Sequence, residues 1–130
     1  MNRTRLVAWR LLICAMIATL VLAPLAAAQV IVVPKIKGKL IDVVIREGSI
    51  QMPAVVAKGW VTLRITNAGQ ENHSLTLMGH GKIHSLPIAL PPGHAALMPI
   101  KLKEAVYTVW CQMQGHADSG ERVSLVVVDD

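Results

Sequence analysis

The sequence predicts an all-β domain, an antiparallel sandwich or barrel, behind an N-terminal export signal. Three observations carry that expectation. Short runs rich in Val, Ile, Leu and Thr recur along the chain, Gly, Pro, Asn and His punctuate them, and no long stretch beyond the N-terminus keeps a helical period. Six or seven runs at this spacing suit two packed layers or a closed barrel.

Residues 1–10 hold Arg3, Arg5 and Arg10 without an acid, and residues 11–28 are almost wholly apolar up to Ala26-Ala27-Ala28. A basic start, an apolar run and a small-residue cleavage motif describe a secretory signal peptide over residues 1–28. An uncleaved anchor is the rival reading, because the apolar run approaches the length that spans a bilayer. Pro24 and the Ala-x-Ala ending favour cleavage. The expected product is one domain over residues 29–130, periplasmic or secreted, with no membrane span left.

Within that domain, residues 30–33 are a candidate edge strand, and 40–45 form a run closed by Glu47-Gly48. Residues 60–66 alternate imperfectly and stop at Asn67-Ala68-Gly69; residues 73–78 follow, with Leu75 and Leu77 on one face. The stretch 79–93, with Pro87, Pro91 and Pro92, reads as a long connection carrying a short helix or nothing regular. Residues 94–102, 105–111 and 122–129 complete the set. No internal repeat, low-complexity tract or second domain is evident.

The whole chain carries thirteen Lys and Arg against eight acids, net +5. Three of those basic residues and no acid lie before residue 29, so the remainder holds ten against eight, a net of +2. Near neutrality, with no basic patch interleaved with aromatics, nucleic acid is not an expected partner. Lys35, Lys37 and Lys39 read as a solvated strand face.

One cysteine, Cys111, survives removal of the signal, and one thiol cannot close an internal disulfide. Cys111 ends a run, His116 follows in a Gly-bearing loop, and another run begins near Arg122. A loop turning between neighbouring strands can aim both side chains at one point. His73, preceded by Glu71-Asn72, opens a run well upstream. Two imidazoles and a thiolate, with a weak long fourth bond, are the donor set of electron-transfer copper sites. Each residue alone has a plainer reading, an inert buried thiol or a solvated histidine; their joint placement favours a metal.

The pattern resembles the cupredoxins, the type 1 copper proteins that include plastocyanin and azurin. The resemblance rests on Ala105-Val106-Tyr107-Thr108 leading into the Cys-x4-His loop, the Asn72-His73 pair, Asn67-Ala68-Gly69 before it, and Pro92-Gly93 ahead of a strand. It spans residues 30–130 and implies a Greek-key antiparallel β-sandwich holding one copper ion, Cu(I) or Cu(II), through His73, Cys111 and His116. A methionine commonly follows the loop histidine in that family; here its place is taken by Glu121. A carboxylate is a harder donor than a thioether, favours Cu(II) and makes zinc possible. Glu121 is read as the fourth ligand, with a solvated rim residue and an outer base as the competing roles. A backbone carbonyl at Asn72 is the alternative axial donor that azurin suggests, and Asn72 itself is either a bond that stiffens the ligand loop or a turn residue.

Other donors read more simply. His80, His84, His94, Met78 and Met98 could be drawn into a second copper site, but methionines at strand ends usually fill core gaps. Met113, inside the ligand loop, is expected to point elsewhere, and Trp110, next to Cys111, should face the opposite side of its strand. No catalytic triad, paired carboxylates or phosphate loop is present. The leading expectation is a monomeric one-electron carrier, not an enzyme, acting with redox partner proteins. A periplasmic copper-handling protein with a copper donor or acceptor, and a metal-free binding module, are the alternatives.

Overall fold

A computed structural model describes residues 35–129; the signal-peptide reading of residues 1–28 and the candidate strand at 30–33 lie outside the described residues. Among the described residues nine strands run in the order β1 (Lys39–Arg46), β2 (Ser49–Gln51), β3 (Val55–Ala57), β4 (Gly59–Asn67), β5 (Thr76–Gly79), β6 (Lys82–Ser85), β7 (Ala95–Leu102), β8 (Ala105–Trp110) and β9 (Arg122–Val128). They form two sheets, β2-β1-β4-β7 and β3-β9-β8-β5-β6. The result is an all-β sandwich, not a barrel. Among the described residues no helix is long and apolar enough to cross a membrane.

The alternation along each strand decides which face is covered. Ile41, Val43 and Ile45 of β1 and Leu63 and Ile65 of β4 turn inward, and Leu77, Tyr107, Val109, Leu125 and Val127 meet them from the second sheet. Between these positions the outer face is polar, with Asp42 paired to Arg64 across β1 and β4. Burying a Leu or Ile contributes roughly 1.5–3 kcal/mol, so the two inner faces, rather than the strand edges, hold the layers together. Gly79 has no room for a side chain: a Cβ there would lie 2.4 Å from the Tyr107 ring.

The sandwich departs from purely antiparallel pairing in two places. β1 pairs with β4 in parallel, and β3 pairs with β9 in parallel. The chain reaches β4 from β1 by way of the other sheet, where β3 sits beside β9, and such a crossover can bring the chain back in the same direction. The stretch 79–93 contains neither a helix nor an irregular excursion alone, because β5 and β6 make a hairpin there. Its two turn residues, His80 at φ 47° and Gly81 at φ 68°, both lie in the left-handed region that a tight hairpin requires.

Candidate metal centre

Three connections meet at one end of the sandwich. The first is the turn after β1, which presents Glu47 and Gly48. The second is the segment from Asn67, at the end of β4, to His73. The third is the loop from Cys111 to Glu121 that joins β8 to β9. Each is stiffened locally before it contributes to the site.

The 111–121 loop is closed at its base, where the Cys111 N–H donates to the Glu121 carbonyl at 3.0 Å. Inside it, the His116 N–H donates to the Met113 carbonyl and the Glu121 N–H returns to the His116 carbonyl, both at 3.1 Å. Gly120, at φ 112°, could not be another residue, since a Cβ would come within 2.5 Å of the Gly48 carbonyl oxygen. That close approach lets the Gly48 N–H donate to Glu121 Oε1 at 3.2 Å. Both the backbone and the side chain of Glu121 are thereby tied down.

The upstream segment is held by Asn67, which is fully buried. Its Nδ2 donates to the carbonyls of Glu71 and Leu90, each at 2.7 Å, and its Oδ1 accepts the Gly69 N–H at 2.9 Å. His73 is not inside a strand. It makes an isolated bridge with Leu90, and β5 begins only at Thr76. Asn72 is exposed, so the asparagine that stiffens this segment is Asn67, which the sequence reading took only as a turn signal.

These constraints bring His73, Cys111, His116 and Glu121 together, with one donor atom from each lying within 4.8 Å of all the others. His73 Nδ1 and His116 Nδ1 are 3.3 Å apart, and Cys111 Sγ stands 4.0 Å and 3.7 Å from them. Glu121 Oε2 lies 2.8 Å from His73 Nδ1 and 3.2 Å from His116 Nδ1. His73, Cys111 and Glu121 are buried; His116 keeps 18% of its side chain exposed.

A metal fits this set. Bonds of about 2.0 Å to nitrogen and about 2.3 Å to sulfur, at angles between tetrahedral and trigonal, give N···N edges of about 3.4 Å and N···S edges of about 3.7 Å. The two nitrogens and the sulfur are spaced close to those values. The shorter His73–Glu121 separation is instead of hydrogen-bond length. Burial pushes the Cys111 thiol above its usual range, although the Ser74 N–H, 3.3 Å from the sulfur, supports the thiolate. An uncompensated thiolate and carboxylate in so dry a place would be costly, and a cation between them removes that cost.

Two further carboxylates were not singled out from the sequence. Glu47 Oε1 lies 3.3 Å from His73 Nε2, and Glu71 Oε2 lies 3.1 Å from His116 Nε2. Glu47 Oε1 also accepts the N–H groups of Gln70 at 2.6 Å and Glu71 at 2.9 Å. Backbone hydrogen bonds, its own included, are the main reason its carboxyl is held down to about 2. No motif marks such partners, because they come from other loops and face away from the donor atoms.

The remaining candidates do not join the centre. His80 and His84 line a cavity of about 270 Å³ at the other end of the sandwich, and His94 Nδ1 faces the Pro92 carbonyl. Trp110 is half-buried beneath Arg122. Among the described residues, no second group of three or more His, Cys, Asp or Glu side chains converges.

No family model and no curated protein matches the sequence. Solved structures do. Auracyanin from Roseiflexus castenholzii superposes with a TM-score of 0.60 at 13% identity, over 70% of this chain and 98% of that one. Auracyanin B gives 0.62 at 13%, over 74% and 93%. A blue copper oxidase from Nitrosomonas europaea gives 0.54 at 17%, over 71% of this chain and 39% of the oxidase. Identities this low speak to architecture alone, and the architecture is that of the cupredoxins.

Proposed function

We propose that residues 29–130 form an exported mononuclear copper protein that carries single electrons, is monomeric, and performs no catalysis of its own. The observation that carries this reading is the convergence of two imidazole nitrogens, one thiol sulfur and one carboxylate oxygen within 4.8 Å. Copper bound there would supply a one-electron couple between Cu(II) and Cu(I). The protein's part is to keep the donors still. The closed base of the 111–121 loop fixes Cys111 and Glu121, the Asn67 bonds fix the approach to His73, and the covering sheets exclude water. A donor set that need not move between oxidation states exchanges electrons with little reorganisation.

His116 is the donor that reaches the surface, so it offers the shortest path for an electron to a redox partner protein. A second reading draws on Glu121. A hard carboxylate beside both imidazoles favours Cu(II), which suits a protein that receives copper from a donor and passes it to an acceptor without cycling. Zinc would suit the same donors.

Titration of the metal-free protein with Cu(II), followed by optical and electron-spin spectra, tests the proposal. The expected result is a thiolate-to-copper band saturating at one equivalent and abolished by Cys111→Ser. Reversible reduction of that species favours the carrier over the storage reading. A protein that takes up no copper would be a cupredoxin-shaped binding module instead.

A further inference from the structure

Both imidazoles of the site are held from behind by carboxylates. His73 presents Nδ1 to the centre and Nε2 to Glu47 Oε1 at 3.3 Å, and His116 presents Nδ1 to the centre and Nε2 to Glu71 Oε2 at 3.1 Å. The arrangement is built rather than incidental. Glu47 Oε1 is anchored by the N–H groups of Gln70 and Glu71, and that anchoring delivers the backbone from which Glu71 reaches His116. It also requires Gly69, where a Cβ would lie 2.4 Å from Glu47 Oε1. One carboxylate therefore seats the loop that carries the other.

An imidazole that donates its Nε2–H to a carboxylate keeps Nδ1 unprotonated, correctly oriented and more basic. The charges add to that effect. A Cys111 thiolate and Glu121 at the centre, with Glu47 and Glu71 behind the imidazoles, surround the bound ion with anions from several sides. The more highly charged oxidation state gains more from such surroundings. Taking the copper reading above as its starting point, we propose that Glu47 and Glu71 are positioning residues that poise this site toward Cu(II) and hold its reduction potential low.

The test replaces each carboxylate by its uncharged isostere. Glu47→Gln keeps an oxygen that can accept the Gln70 and Glu71 N–H groups, and Glu71→Gln alters an exposed side chain, so both variants should fold and load with copper. The expected result, measured by spectroelectrochemistry on the copper-loaded full chain, is a rise in potential for each. Outer partners of this kind are worth roughly tenfold or more in metal affinity, and a tenfold change in the Cu(II)-to-Cu(I) affinity ratio is about 59 mV for one electron. The larger rise is expected for Glu47→Gln, whose imidazole partner is wholly buried, and the Glu71→Gln rise should shrink as salt is added. Glu71→Asp should restore most of the wild-type potential. Variants that bind one copper with the wild-type band and the wild-type potential overturn the inference alone. A wild-type protein that binds no copper overturns the copper reading beneath it as well.

Discussion

Glu121 is the residue on which the chemistry of this site turns. Its carboxylate is almost wholly buried, with Oε1 accepting the Gly48 N–H and Oε2 beside both Nδ1 atoms. A charge so placed is costly unless it is neutralised, and a cation bound beside the two imidazoles would neutralise it. Oε2 lies 2.8 Å from His73 Nδ1 and 3.2 Å from His116 Nδ1, so Glu121 is either a fourth donor to a bound ion or a hydrogen-bond partner that holds the ligand loop. Glu121→Met separates them. If Glu121 ligates copper, exchanging a hard donor for a soft thioether favours Cu(I), so the potential rises and the thiolate band intensifies. Voltammetry and the optical spectrum of the loaded variant are the measurements. An unchanged potential would mean that Glu121 only holds the ligand loop, and the fourth donor would then lie elsewhere.

At the scale of elements, the donors are exact only because the loops that carry them are fastened, and Asn67 is the principal fastener. It closes β4 by bonding to Gly69, Glu71 and Leu90, so its removal strands two buried carbonyls and one N–H beneath His73. Unsatisfied buried groups cost about 1–3 kcal/mol each, partly relieved by water, so Asn67→Ala should lower unfolding stability by about 3 kcal/mol. Chemical denaturation of the metal-free protein measures this, and a loss below about 1 kcal/mol would remove Asn67 from that role. Much of this level was legible in the chain. The alternation marked β1, β4 and β7 to β9 within a residue or two, because each buries one face. The short β2, β3 and β6 left no periodic trace, and alternation is silent on strand order, so the parallel pairings of β1 with β4 and β3 with β9 could not be read from it. Donor type and placement singled out His73, Cys111 and His116, and the resemblance to cupredoxins singled out Glu121 by the methionine position it fills. Glu47 and Glu71 escaped because an outer partner is set by how loops fold over one another, and Asn67 was passed over for Asn72 because a turn asparagine and a buried fastener look alike in sequence.

Across the whole described domain, charge is divided between the two ends. β4 runs from Trp60, in the wall of the far cavity, to Asn67 beneath the candidate metal centre; seven steps at about 3.3 Å put these roughly 23 Å apart. Around the far cavity stand Lys82, Lys101 and Lys103 with His80 and His84; Lys58, paired with Asp129, and the acid Glu104 lie nearby. Around the centre stand Glu47, Glu71 and Glu121, which outnumber Arg46 at the end of β1 and Arg122 at the start of β9. The separation is about twice the Debye length of about 10 Å at 0.1 M salt, so a reagent approaching His116 feels the acidic end and little of the basic one. Overall charge near neutrality is therefore a poor guide to reactivity, and a cationic partner should be favoured at the end that carries the candidate metal centre even though the domain has a slight basic excess. In stopped-flow oxidation of the reduced copper protein, a cationic cobalt complex should lose rate as salt is added, while anionic ferricyanide should gain it. The same salt response from both reagents would mean that electrons leave by some route other than the exposed edge of His116.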